Sequence, residues 1–191
     1  IVKEIIVRMI RLFKKNTKYL DIRFEIEKKF DRAFDENISN FERKSYSQEG
    51  EDLIMEEFFG HKPRGVFIDV GAHHPARYSN TYFFYLKGWR GINIEPNKDG
   101  FSLFLKYRPE DININCAISR EKGVETMYRF SEAALNTLDK NRALYLMENG
   151  WGEYKEEHVE TISLEEIWER HLGLDAKVDF LSVDVEGYEW E

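Results

Sequence analysis

The chain has 191 residues, of which 42% are hydrophobic, 34% charged and 15% aromatic, and its formal net charge is −8. That is enough apolar material for one packed domain, which excludes a wholly disordered chain, and the negative balance is the wrong sign for broad attraction to a phosphate backbone, so no nucleic-acid partner is expected. A single cysteine, Cys116, excludes an internal disulfide and a cysteine-based zinc ribbon, and with no apolar run near a membrane span the expected setting is cytoplasmic.

Residues 1–44 read as a separate segment. Apolar residues recur at Val2, Ile5, Ile6, Met9, Ile10 and Phe13, the spacing of an amphipathic helix. Residues 1–30 carry nine Lys/Arg against four Asp/Glu, so this arm is basic while the rest is acidic. A stripe of this kind is buried against protein more often than against lipid, and packing on protein is the favoured reading over membrane contact. The remainder, 45–191, reads as one domain. Because the chain opens on Ile1 and stops at Glu191 within a motif, it is expected to be a piece of a longer one, with strands missing at its end.

Acids in Ser47-Gln48-Glu49-Gly50-Glu51-Asp52 favour a helix start, and Gly60 a helix end. Gly65 to Gly71 reads as a buried strand and turn. Ser79 to Leu86 reads as a helix, Gly91 to Glu95 as a second strand, and Asp99 to Tyr107 as another helix. Ile112 to Ile118 is expected to form one strand, and Val124 to Phe130 a further one. Residues 131–157 give no clear pattern. Ser163-Leu164-Glu165-Glu166 has the form of a capping box opening a helix that ends at Gly173, and Val178 to Asp184 is the last strand. Strands alternating with helices predict an α/β fold, a parallel sheet with helices on both faces.

In such a sheet ligands collect beyond the carboxyl ends of the strands. Asp69, Glu95 and Asp184 stand at three such ends, and acids there are costly to desolvate unless a donor meets them. Glu95 comes one strand-helix-strand step after Asp69, where a doubly wound fold accepts the two hydroxyls of a ribose. The turn Asp69-Val70-Gly71-Ala72-His73-His74-Pro75 offers a single glycine, which is poor for a pyrophosphate. The pattern suits an adenosine cofactor without phosphates and with a cationic portion; S-adenosylmethionine fits, and NAD and ATP fit badly.

The blocks Ser47 to Asp52, Phe67-Ile68-Asp69-Val70-Gly71-Ala72-His73, Ser79-Asn80-Thr81-Tyr82, Gly88 to Asn97 and Asp179 to Glu189 together resemble the FkbM family of S-adenosylmethionine-dependent methyltransferases. The resemblance covers roughly residues 45–191. It implies a Rossmann-like class I methyltransferase fold and O-methylation of a sugar or polyketide hydroxyl. Carried over by position, Asp69, Gly71 and Ala72 match the first cofactor motif, Glu95 the ribose acid, and Pro96 and Asn97 the adenine side. The resemblance further places Ala117, within Cys116-Ala117-Ile118, against the adenine ring, and Gln48 and Asp52 in a helix over the cofactor. Asp184 and Glu186 match the block beside the methyl-transfer site.

Methyl transfer from a sulfonium requires an acceptor oxygen held in line and a base for its proton. Asp184 is the first candidate for that base, Glu186 the second and His73 the third. Adjacent His73 and His74 point apart and make a poor ligand pair, so no metal is assigned. His61, His158 and His171 are expected at the surface, and the four tryptophans in packing. Asn136-Thr137-Leu138-Asp139 is placed in a substrate loop. The acceptor class is a small molecule or glycan; the alternative is a non-catalytic nucleoside-binding module within a larger glycan-assembly protein.

Overall fold

The computed structural model describes residues 43–60, 62–173 and 176–185; the basic arm, His61, Glu186 and Trp190 lie outside the described residues. Among these, helix α1 (Glu51–Phe58) leads into strand β1 (Val66–Val70), helix α2 (Tyr82–Leu86) and strand β2 (Arg90–Ile94). Helix α3 (Lys98–Tyr107), strand β3 (Ile112–Ile114), strand β4 (Ala117–Ile118) and strand β5 (Gly123–Arg129) follow. A 3-10 turn (Ala133–Leu135), helix α4 (Lys140–Glu148), strand β6 (Lys155–Ile162), helix α5 (Leu164–His171) and strand β7 (Phe180–Val183) complete them. None of these helices is long and apolar enough to cross a membrane.

The order β3-β2-β1-β7 builds a four-stranded sheet in which every described pairing is parallel. The sequence of β1, Val-Phe-Ile-Asp-Val, is rich in β-branched and aromatic residues and is the central strand, buried from Phe67 onward. Because side chains alternate across a strand, Ile68 and Val70 face one way, with Ile92, Ile94 and Cys116, onto Ile167 of α5. Phe67 faces the other way, with Phe84 and Trp89, against Met55, Phe59 and Phe180. The expected α/β sheet with helices on both faces is what the chain forms, and it is a Rossmann-like arrangement.

Local chemistry sets the helix starts. Ser163 Oγ accepts the Glu166 amide and Asn97 Oδ1 the Asp99 amide, each satisfying a backbone donor with no partner inside its helix. Asp52 is fully buried, where its carboxylate accepts from Ser45 Oγ (2.6 Å), the Tyr46 amide (2.7 Å) and Ser47 Oγ (3.0 Å). It ties the approach segment to α1.

Four expectations need correction. Residues 112–118 are not one strand: Asn115 breaks the run, its side-chain amide donating to the carbonyls of Glu95 (2.8 Å) and Pro96 (2.9 Å). Beyond that break β4 joins a second sheet of order β4-β6-β5, in which β5 and β6 are antiparallel, so the sheet system is not purely parallel. Helix α2 begins only at Tyr82 and not at Ser79: Ser79 Oγ accepts the Tyr82 amide (3.1 Å), and the Thr81 hydroxyl is bonded to Asp69 of β1 (2.6 Å). Trp151 does not pack: it is 58% exposed, whereas Trp89 is in the core. His158 and His171 are exposed as expected.

Candidate functional site

The chain leaves β1 through Gly71 at φ +72°, a conformation that disfavours side chains. Both Gly71 and Ala72 amides donate to the Ile94 carbonyl (3.0 and 3.1 Å), so the loop after β1 wraps over the end of β2. A Cβ on Gly71 would sit well inside contact distance of the Asp184 carbonyl oxygen, just past β7. Gly71→Ala therefore combines left-handed strain of about 1–2 kcal/mol with an overlap costing roughly 1–3 kcal/mol more. At 2–4 °C per kcal/mol the melting midpoint should drop by about 10 °C. Gly88 has a similar φ, +91°, with open space beyond its Cβ position. Gly88→Ala should cost the strain alone, and equal losses in the two variants would refute the packing argument.

His73 follows at φ +55°, and its amide donates to Glu95 Oε2 (2.6 Å). The other Glu95 oxygen accepts the Asn97 amide (2.8 Å). Each carboxylate oxygen thus holds one backbone N–H and keeps a second lone pair. Burial pushes the Glu95 carboxyl up to about 7, against the pull of its two backbone donors, and nearby Asp69 adds to the rise. Asp69 is also raised: burial dominates, while Thr81, Arg108 and Ser182 draw it down and Asp111 opposes them.

His74 uses Nδ1 to accept the amides of Ala76 (3.0 Å) and Arg77 (2.9 Å), which commits its ring to the turn. His73 Nε2 lies 3.3 Å from Arg77 Nη2, and since a guanidinium only donates, Nε2 is the acceptor and the ring proton sits on Nδ1. Burial, then Arg77 and His74, hold His73 below the usual imidazole value. Arg77 also bridges to Glu132 (2.5 Å), joining the loop after β1 to the segment after β5.

These loops enclose one cavity. Asp69, Gly71, Ala72 and His73 line it from β1 and its loop, Glu95 and Pro96 from the end of β2, and Ala117 from β4. Gln48 comes from the segment before α1, and Asp184 from beyond β7. The residues singled out from the sequence therefore meet, with three exceptions. Asp52 is absent from the lining, its carboxylate taken up by Ser45, Tyr46 and Ser47, and Gln48 lines the cavity from ahead of the helix expected to carry it. Asn97 is buried but its side chain caps α3 and is absent from the lining, and Glu186 is outside the described residues. Sequence reasoning missed Tyr78, Asn80, Ser182 and Met127, which also line the cavity. It did place Asn136, Thr137 and Leu138 in a loop of this kind, and all three are wall residues. The described lining holds three carboxylates and no lysine or arginine.

No curated protein and no solved structure matches the chain. The family model for the methyltransferase FkbM domain matches residues 69–191, a span that runs from Asp69 on the cavity floor through Glu95 and past Asp184. The chain belongs to the FkbM methyltransferase family.

Proposed function

We propose that the cavity binds S-adenosylmethionine and that the protein O-methylates a hydroxyl of a sugar or related metabolite, in the cytoplasm. The observation that supports this most is the charge of the lining, with Asp69, Glu95 and Asp184 and no cationic side chain. A pyrophosphate would meet three acidic groups and no positive partner, whereas a ligand carrying a sulfonium and an ammonium favours their charged forms and is attracted. The residues present fit the cofactor in two further respects. Glu95 keeps acceptor capacity for two hydroxyls, and Ala72, Ile94, Ala117 and Met127 offer an apolar slot for a base. When bound, S-adenosylmethionine would supply an electrophilic methyl group.

The chain's own residues do the rest. Glu95 would receive the ribose hydroxyls, and Asp69 would face the cationic portion. Asp184, on the cavity wall, would accept the acceptor's proton, and its charge would also hold the positive ligand. Tyr78, Asn80, Asn136 and Thr137 put hydroxyl and amide groups on the walls, a complement to a hydroxylated acceptor. Residues 1–44 are read as a helical arm ahead of the 45–191 domain.

Calorimetric titration of the full chain with S-adenosylhomocysteine, with NAD in parallel, tests the reading. Micromolar binding of the first and no heat from the second is expected. A folded chain that takes up neither would leave the nucleoside-cofactor reading without support, and tight NAD binding would replace it with an oxidoreductase.

A further inference from the structure

On the face of the sheet that carries Phe67, the four parallel strands present one polar residue each at the same level. Asp69 stands opposite Asn93 on one side and Ser182 on the other, and Asn93 stands opposite Asn113. A parallel sheet covered by helices ordinarily shows an unbroken apolar surface here. Asp69, Asn93 and Ser182 are all buried, so the row needs partners, and it has them except at Asn93 Oδ1, which is buried without a hydrogen bond.

Arg108, with no exposed surface, lies over the Phe67 ring. Its Nε donates to Asp111 Oδ2 (2.9 Å) and its Nη1 to Thr81 Oγ1 (2.9 Å). Asp111 also accepts the Gly91 amide and Asn93 Nδ2, both at 3.0 Å, and Asn93 Nδ2 reaches Asn113 Oδ1 (2.9 Å). Thr81 Oγ1 lies 2.6 Å from Asp69 Oδ2.

The directions in this chain are fixed by chemistry. A guanidinium only donates and an ionised carboxylate only accepts. The Thr81 hydroxyl receives from Arg108 and so gives its one hydrogen to Asp69. A second hydroxyl, Ser182 Oγ, accepts from Asn80 Nδ2 (3.2 Å) and stands level with Asp69 on the neighbouring strand, where it draws the Asp69 carboxyl down. The Thr81 hydroxyl, loaded from behind by Arg108, is thus aimed at one buried carboxylate.

We propose that Thr81, backed by Arg108, is a positioning residue for the cofactor site, holding the Asp69 carboxylate in one orientation and in its charged form for the cationic end of the ligand. The inference rests on the methyl-donor reading of the cavity and extends it to residues that do not line the cavity. The charges are consistent with it: Arg108 is paired directly with Asp111 and reaches Asp69 only through Thr81, so it offsets the Asp69 charge in part. The other charged groups that act on Asp69 are Asp111 and Glu95, both acidic, and Tyr85 of α2 lies against Arg108. Burial, with Asp111 adding to it, pushes Asp69 toward its neutral form, and Thr81, Arg108 and Ser182 oppose that.

Thr81→Val removes the hydroxyl at nearly constant volume, and Thr81→Ser restores it. In the carbon-13-labelled full chain, with the Asp69 carboxyl signal assigned through Asp69→Asn, the Asp69 titration midpoint should rise by about one unit or more in Thr81→Val. It should return toward the wild-type value in Thr81→Ser. S-adenosylhomocysteine should bind Thr81→Val more weakly as pH falls through the Asp69 midpoints measured in the two chains, by up to about tenfold below both for a one-unit rise, and the gap should close as pH rises above them. An unmoved Asp69 midpoint in folded Thr81→Val, or an affinity gap equal at every pH, overturns the proposal. Should Thr81→Val not fold, Arg108→Lys takes its place with the same expected direction and the same overturning result. If Asp69 responds as expected while the wild-type chain binds no S-adenosylhomocysteine, the methyl-donor reading falls and the coupling of Thr81 to Asp69 stands.

Discussion

Glu95→Gln should weaken S-adenosylhomocysteine binding at pH 8 by about a hundredfold or more. The carboxylate already accepts the amides of His73 and Asn97, one on each oxygen, and the remaining lone pairs are what two vicinal hydroxyls would use. Glutamine has one acceptor oxygen, and its NH2 would point at one of those two amides. Hydrogen bonds to a charged group contribute about 1.5–3 kcal/mol each, and two of them amount to about two decades of affinity or more. Because the Glu95 carboxyl is pushed up to about 7, wild-type affinity should be level above pH 7. Below it, affinity should fall by about tenfold per unit as the proton competes with the ligand. Affinity that stays flat from about pH 5.5 to 8.5 would sink the ribose assignment. For the empty fold the same raised value runs the other way. Glu95's contribution to stability is fully present below about 4.5, where it is neutral folded or unfolded, and is lost as pH climbs through about 7.

Asp184→Asn should lower kcat by about 10²–10⁴ while changing cofactor affinity far less, since a general base acts in the transition state and contributes that much to rate. The competing candidate on the cavity wall is His73. Its depressed titration keeps the ring neutral at pH 7, which suits a base, but the Nε2 lone pair already faces Arg77. His73→Asn should therefore retain most of the rate, and the wild-type pH profile should not break at the imidazole's lowered value. Retention of more than about a tenth of wild-type kcat by Asp184→Asn, with a large loss in His73→Asn, would exchange the two roles.

Much of the sheet was legible because its signals are local. The runs Val66–Val70 and Arg90–Ile94 are short, apolar and bounded by glycine or an acid, and Ser163 announces α5 with its own capping chemistry. The three strand-end acids could be placed from spacing alone, since a strand-helix-strand step fixes where the next carboxyl end arrives. The break at Asn115 could not be read from sequence, because its cause is an amide reaching carbonyls about twenty residues away. Strand β6 was hidden for a similar reason. Its eight residues, Lys-Glu-Glu-His-Val-Glu-Thr-Ile, look like a solvated segment, and only the long ladder with β5 makes them a strand. The polar row escaped notice because register between strands, not order along the chain, brings Asn113, Asn93, Asp69 and Ser182 level. Asn97 illustrates the opposite error: a residue beside a site by sequence can spend its side chain on a helix end.

The two sheets divide the cavity between them, and the division bears on how relatives could diverge. Asp69, Glu95 and Asp184 stand at ends of a parallel sheet whose pairing fixes them together, so shifting one strand would misplace all three. The walls at Ala133, Asn136 and Thr137 belong instead to the excursion between β5 and β6. Lengthening or rewriting that excursion leaves every parallel pairing intact. On the proposed reading, exchanging residues 131–138 between family members should change the acceptor taken while leaving S-adenosylhomocysteine affinity in place.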